Sequence, residues 1–341
     1  MKNVAIIGSG LAARSFHGYL IGLEPGLRVL GYASRSEETR GRLRAEGLRA
    51  WAAVEEAAAD PEVDLVVLAT PHHRHCAEAV AALGAGKHVV TDKVMALTVE
   101  EADRMIEAAR RAGRILTVFQ NRRWDSDYLT LRKAIGDGLL GDVIALESCV
   151  GRFKGPRGWR AETACGGGLW YDWGAHLVDQ LVGLFGAGVD RVSCDFRRGL
   201  WPVEVETHAH AVIRFRGGPT AVVEVSHIAR AEKPRWVVHG TRATYVQRGI
   251  DPQEEAMMAR DIGSARRPPE HRARLLREEG GRGVEEVLPD VPGRWTAFYG
   301  NLAAALEGRE AIAVSPGSVR DGLRVLEACR RSAERGVTVQ P

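Results

Sequence analysis

The segment Gly166-Gly167-Gly168-Leu169-Trp170-Tyr171-Asp172-Trp173-Gly174-Ala175-His176 runs a triple glycine into a helical pattern that carries a carboxylate and an imidazole four residues apart. Residues at i and i+4 share one helix face, so Asp172 and His176 can point together into one cleft. Glycines without a Cβ let another chain segment or a ligand approach the backbone. An imidazole titrates near neutral pH, so such a pair can move a proton. A solvated helix face with the same spacing is the plain alternative. A third proton-bearing group, Lys93, ends a strand-like run in Thr91-Asp92-Lys93-Val94.

The elements that must position these groups begin at the amino terminus. Gly8-Ser9-Gly10-Leu11-Ala12-Ala13 follows a first apolar strand and opens a helix. Gly-x-Gly-x-x-Ala in that context is a dinucleotide turn: the first glycine allows the bend, the second lets a pyrophosphate approach, and Ala13 permits close helix packing. The helix amino terminus adds amides and the positive end of its dipole. An NAD site places an acid about 20 residues further on. Here Ser34-Arg35-Ser36 stands at the end of the second strand. A guanidinium and hydroxyls suit a 2′-phosphate, so NADP is preferred. NAD stays possible, with Arg35 a solvated loop residue and Glu37 and Glu38 close by.

Thr70-Pro71-His72-His73-Arg74-His75-Cys76 follows the next core strand, at the carboxyl edge where open α/β sheets bind ligands. His72, His75 and Cys76 could serve as metal ligands, but no carboxylate completes a set, and no metal is expected. The cofactor set read from the sequence is Gly8, Ser9, Gly10, Leu11, Ala12, Ala13, Ser34, Arg35, Thr70, Pro71, His72, His75, Asp92, Lys93 and Asn121.

The chain has 341 residues, 45% of them apolar and 27% charged, which suits two domains with a sizeable core. A net charge of +3, from 47 Lys plus Arg against 44 Asp plus Glu, gives no reason to expect nucleic acid or an anionic membrane. Arg122-Arg123 beside Trp124 lacks a wider basic patch and does not change that. The five cysteines have no paired spacing, so no disulfide framework is expected. With no leader pattern and no membrane-length apolar run, a cytoplasmic protein is expected.

Short apolar strands alternate with helical patterns through about residue 120, which predicts a doubly wound parallel sheet. After Asp125 a helix reaches about Ile135, and then longer strands over 143–152, 191–196, 205–214, 221–228 and 235–239 predict a largely antiparallel sheet. A helix over 169–184 would cover one face of it and another subunit the other, giving a homodimer or homotetramer. The stretch 248–292, rich in Arg, Glu, Gly and Pro, reads as solvated loop with a helical piece. The fold class is therefore α/β: a Rossmann domain over 1–122, then an α+β substrate-binding and oligomerisation domain with an open sheet over 123–341. The final helices are placed to dock on the first domain.

With these elements in place, the sequence resembles the glucose-fructose oxidoreductase, inositol dehydrogenase and rhizopine catabolism family of NAD(P)-dependent oxidoreductases. The resemblance rests on the glycine turn, Gly86-Lys87-His88-Val89-Val90, Asp92-Lys93, the segment from Gly166 to His176, and Ser332-Ala333-Glu334-Arg335-Gly336. Residues 119–127, 170–172, 238–240 and 249–255 look closer to its NADP-dependent scyllo-inositol dehydrogenase branch. The family usually reads Glu-Lys-Pro where this chain has Asp92-Lys93-Val94. That proline shapes the bend at the lysine, and a cis bond is far cheaper before proline than before valine.

The resemblance implies hydride transfer between a nicotinamide and a secondary alcohol or ketone of a cyclic polyol or sugar. His176 is assigned as general base, Lys93 as the cation on the reacting oxygen, and Asp172 as the group that orients substrate and holds Lys93 or His176. Lys93 as base is the alternative. Arg123, Trp124, Trp159, Arg160, Tyr171 and Tyr299, with Asn121, are candidates for the cleft wall, since aromatic and hydrogen-bonding side chains suit a polyol. Two other functions are open to such a chain: a glycosidase that oxidises its substrate transiently with NAD, and a catalytically silent cofactor sensor. The presence of Lys93, Asp172 and His176 together argues against the sensor.

Overall fold

The computed structural model describes Met1–Pro341, and the chain forms two compact units. The first gathers Met1–Asn121, Glu255–Ile262 and Trp295–Arg320; the second gathers Arg122–Glu254, Gly263–Arg294 and Asp321–Pro341. Glu255–Ile262 and Trp295–Arg320, both beyond the expected division at 122/123, thus belong to the first unit, the second of them from the final helices. The reason is packing: Phe298 sits edge-on to Phe119 at 5.0 Å, Trp295 stacks near Phe16 at 6.1 Å, and Thr117 Oγ1 donates to the Val314 carbonyl at 2.8 Å.

The first unit is built on strands β1 (Lys2–Ile7), β2 (Leu27–Ala33), β3 (Arg49–Trp51), β4 (Leu65–Leu68), β5 (His88–Thr91) and β6 (Leu116–Val118). All are parallel, in the order β3-β2-β1-β4-β5-β6, the doubly wound arrangement. β4 is buried at every position because helices cover both faces. Those helices are α1 (Tyr19–Gly22), α2 (Glu37–Ala45), α3 (Val54–Ala59), α4 (His75–Gly84) and α5 (Val99–Ala112). In α5 the side chain of Thr98 accepts from the Glu101 amide and the Glu101 carboxylate accepts from the Leu97 amide, while Gly113 ends the helix at φ +61°. Its core face is Ala102, Met105 and Ala109, the spacing of a helix with one buried stripe.

In the second unit α6 (Ser126–Gly136) precedes β7 (Val143–Gly151), and α7 (Ala175–Phe185) precedes β8 (Val189–Arg197), β9 (His208–Phe215), β10 (Thr220–Ser226), β11 (Trp236–Gly240) and β12 (Thr244–Gln247). α8 (Gln253–Met258) falls mostly in the first unit; β13 (Arg274–Glu279) and β14 (Arg282–Val287) follow in the second, α9 (Thr296–Leu306) is again in the first, and α10 (Pro316–Arg335) starts in the first and ends in the second. The eight strands run β14-β13-β12-β11-β7-β10-β9-β8, antiparallel except for β7 against β10. Alternate residues such as Ala209, Ala211, Ile213, Ala221, Val223 and Val225 are buried, so the sheet has one inner face.

The stretch expected as solvated loop holds the β13–β14 hairpin. Its strands carry charge on both faces, so no apolar alternation announced them; cross-strand ion pairs Arg274–Glu285 at 2.9 Å and Arg277–Glu286 at 2.5 Å align them instead. The Gly280-Gly281 turn, at φ +57° and +75°, was the available signal. No helix is long and apolar enough to cross a membrane.

Candidate active site

In the first unit the register aligns Ile7 with Leu68 and Leu68 with Thr91, so the turns after β1, β4 and β5 leave neighbouring strands at one edge. Strands lie about 4.8 Å apart, which puts Gly8, Thr70 and Lys93 on a common rim. Gly8 has φ +110°, and a Cβ there would stand 2.5 Å from the Ala69 carbonyl. At Gly10 a Cβ would meet nothing of the chain within 4 Å. A bend that only glycine fits, followed by an open backbone, matches the needs of a pyrophosphate at a helix start. The residues present therefore fit a dinucleotide. The helix that follows opens with i→i+5 bonding over Ala12–Gly18 before α1 continues it, where the sequence predicts an ordinary helix from Ala12 to Leu23.

At the end of β2, Ser9 Oγ lies 3.4 Å from Ser34 Oγ, and Ser36 caps α2 by accepting from the Thr39 amide at 3.2 Å. Glu37 is bonded to Arg40 and, at 2.9 Å, to Arg44; Glu38 is 4.0 Å from Arg42. The two acids near the turn are thus engaged by arginines of their own helix, and Arg35 is exposed.

The turn after β4 is fixed from inside. Thr70 Oγ1 donates to Glu78 at 2.6 Å, and Glu78 pairs with Arg74 at 2.5 Å. His75 is fully buried, with Nε2 2.9 Å from the Thr70 carbonyl and Nδ1 2.7 Å from that of Val94. Its expected cofactor contact is therefore corrected: both nitrogens serve the backbone and tie this turn to the Lys93 loop. His72 is buried beside it, rings 5.6 Å apart, while the Cys76 thiol turns to the Glu101 carbonyl at 3.5 Å. The peptide bond between Lys93 and Val94 is cis. Lys93 itself is half-buried, and its amide donates to Asp92 Oδ1 at 2.7 Å. Asn121 is buried at the end of this unit.

Tyr299 is also corrected. It is fully buried in the first unit with its hydroxyl 2.7 Å from His17 Nδ1, which is core packing rather than a cleft wall.

In the second unit Gly167 and Gly168 make room for other parts of the protein. At Gly167 a Cβ would fall 2.6 Å from the Arg160 carbonyl, and at Gly168, where φ is +105°, 2.3 Å from the Glu206 carboxylate. Glu206 accepts from the Trp170 amide at 3.0 Å and so caps the helix start. Burial pushes its carboxyl upward, against the Arg330 guanidinium 4.0 Å away. Trp170–Gly174 again has i→i+5 bonding, and α7 continues it. Asp172 lies on the first stretch, half-buried, 3.4 Å from Arg160 Nε; His176 lies on α7, buried, 6.1 Å from the Trp173 ring.

The expected wall residues divide. Arg160 reaches Asp172 and lies over the Trp159 ring at 4.5 Å, so these two join the acid. Arg123 instead grips Asp179 with two bonds of 2.8 and 2.6 Å, a buried pair that anchors α7. Tyr171 is buried under the Arg330 guanidinium at 4.7 Å. Long-range partners, invisible in the local sequence, claim both. Trp124 is half-buried, and its carbonyl accepts from the Arg294 amide at 2.9 Å.

Two buried neighbours of the candidate residues carry no sequence signal. Glu206 is one. The other is His227, buried after β10, with Nε2 3.4 Å from Arg152. Burial first, then Arg152, lower its pKa from the ordinary 6.5 to about 4, although Asp172 opposes them. The unfolded chain then binds more protons between pH 4 and 6.5, so stability is expected to fall as pH drops through that window. Urea unfolding followed by tryptophan fluorescence should show the slope, and His227→Asn should flatten it; an equal slope in both would refute the assignment.

A dinucleotide turn, a lysine on the same rim, and a separate unit carrying an acid and imidazole on one helix define a nicotinamide-dependent oxidoreductase class. Residues 2–120 match the model of an oxidoreductase family with an NAD-binding Rossmann fold, and residues 128–246 match the GFO/IDH/MocA C-terminal domain. The chain belongs to the GFO/IDH/MocA family of oxidoreductases. It is 35% identical to the uncharacterized oxidoreductase YdgJ of Escherichia coli, across 98% of this chain and 97% of that one. It is 30% identical to the scyllo-inositol 2-dehydrogenase (NADP(+)) IolW of Bacillus subtilis, across 98% and 95%. A putative oxidoreductase from Klebsiella pneumoniae has the same fold, with a TM-score of 0.87 at 33% identity, covering 99% of this chain and 94% of that one.

Proposed function

We propose that this oxidoreductase moves a hydride between NADP and a secondary alcohol or ketone of a cyclic polyol or sugar. The observation that carries the reading is the placement of Asp172 and His176 one turn apart on a continuous helix, with Arg160 Nε 3.4 Å from the acid. The NADP-dependent inositol dehydrogenase among its relatives supports the substrate class. The nicotinamide ring supplies or accepts the hydride when bound. His176 takes the hydroxyl proton, the Lys93 amine hydrogen-bonds the reacting oxygen, and Asp172 orients substrate and imidazole. Five free thiols suit a reducing cytoplasm. A second copy of the chain covers the outer face of the large sheet, as a dimer or tetramer.

NADP is preferred over NAD because Arg35 is exposed at the end of β2 while Glu37 and Glu38 are held by Arg40, Arg44 and Arg42. Arg35→Ala is expected to weaken NADP binding about 10-fold, the worth of one phosphate contact, and to leave NAD unchanged. Calorimetry with both cofactors checks this, and tighter binding of NAD by the parent protein would overturn the preference. The reaction is tested by following absorbance of the reduced cofactor with inositols, pyranoses and their keto forms; no turnover of any would refute the reading.

A further inference from the structure

We propose that Tyr299 and His17 form a buried hydrogen-bonded pair that backs Asp92 and holds the Lys93 loop, making both positioning residues for proton handling at Lys93. The inference rests on the role given to Lys93 above and lies wholly within the first unit.

Asp92 follows the last residue of β5 and precedes Lys93. Its two oxygens face different ways. Oδ1 accepts from the Lys93 amide at 2.7 Å and closes the loop on itself; Oδ2 faces His17 Nε2 at 3.6 Å, an ion-pair distance longer than a hydrogen bond. His17 and Tyr299 are fully buried, and the Phe119 ring lies 4.5 Å from the imidazole.

The order of the contacts follows from which atom faces which. A carboxylate only accepts, so the nitrogen that faces it must carry a proton. The other ring nitrogen, Nδ1, lies 2.7 Å from the Tyr299 hydroxyl. The contacts run Tyr299 to His17 to Asp92, with Lys93 at the end. Burial pushes the Asp92 carboxyl up, but His17, then Lys93 and His75, outweigh it and hold it well below the usual carboxylate range. Burial, then Asp92 and Tyr32, push Tyr299 well above its ordinary value, so it keeps its proton. The groups facing Asp92 are thus His17 from the first helix, His75 from α4 and Lys93 from its own loop, with Tyr299 and Tyr32 one step behind. An apolar core of the same shape would avoid burying these polar atoms, and backing Asp92 gives them a use.

The variants His17→Leu, His17→Gln and Tyr299→Phe, with NADP and scyllo-inositol as probes, test the proposal from about pH 5 to 10. His17→Leu is expected to lower kcat about 10- to 100-fold with little change in KM. Without its strongest partner the Asp92 carboxyl rises toward the usual range, so its own titration moves to higher pH. His17→Gln keeps a donor for Oδ2 and should restore kcat to within about threefold. Tyr299→Phe, which removes one oxygen, should move both readouts in the same direction by less. Carbon-13 NMR of the Asp92 carboxyl, identified by its loss in Asp92→Asn, follows the same shift without substrate.

Wild-type kcat and an unmoved Asp92 carboxyl titration in His17→Leu and Tyr299→Phe would overturn the proposal. If His17→Leu fails to fold, an unmoved Asp92 titration in Tyr299→Phe overturns it equally. Absence of polyol turnover by the parent protein would instead count against the proposed reaction, leaving the NMR titration to decide whether the pair backs Asp92.

Discussion

Replacing Lys93 with methionine is expected to lower kcat for polyol oxidation by about 10²- to 10³-fold, the usual cost of losing one donor to a reacting oxygen. The substitution keeps the apolar stem and removes only the amine. The loop should survive it, because its anchor is the Lys93 backbone amide on Asp92 and its following residues Val94, Met95 and Ala96 are buried. His75 holds the Val94 carbonyl from below. NADP affinity should therefore change by less than about threefold, since an interaction made only in the transition state appears in kcat rather than in binding. Initial rates across substrate concentration, with calorimetry for the cofactor, separate the two. Turnover within threefold of the parent would remove Lys93 from the mechanism, whereas loss of cofactor binding would recast it as a binding residue.

Gly168→Ala is expected to destabilise the second unit by about 2–6 kcal/mol, the sum of a left-handed backbone penalty and an overpacking penalty of about 1–3 each. The new methyl would stand 2.3 Å from a Glu206 carboxylate oxygen that also receives the Trp170 amide, so relieving the clash breaks the cap. Asp172 and His176 sit within the next two turns, and activity should fall with stability. Urea unfolding by tryptophan fluorescence reads the first effect, since Trp170 and Trp173 lie in the affected segment. An unchanged midpoint would mean that Glu206 is not the support of this helix.

Much of the first unit was legible because its signals are local. The glycine turn, the strand and helix alternation and the capping pair Thr98 and Glu101 each lie within a few residues, and the parallel topology follows from them. The second unit was legible in outline. The strand pattern predicted a mostly antiparallel sheet, yet β7 pairs in parallel with β10 across more than seventy residues of chain, and no local pattern encodes a partner at that distance. β12 and the β13–β14 hairpin lacked apolar alternation and were missed.

For the candidate site, residue type identified which side chains can do chemistry, and tertiary partners determined which are committed elsewhere. Arg123 and Tyr171 look like polyol contacts until Asp179 and Arg330 arrive from distant segments. His75 looks like a cofactor ligand until the Thr70 and Val94 carbonyls occupy it. The sequence by itself determined the dinucleotide turn, the family, and which groups are candidates for the chemistry, Lys93, Asp172 and His176, because these depend on residue type and short spacing. Only the tertiary structure decided that Glu206 fills the space left by Gly168, that His227 stands near Asp172, and that Tyr299 and His17 stand behind Asp92. Those are contacts between residues far apart in the chain, created when buried polar groups must find partners.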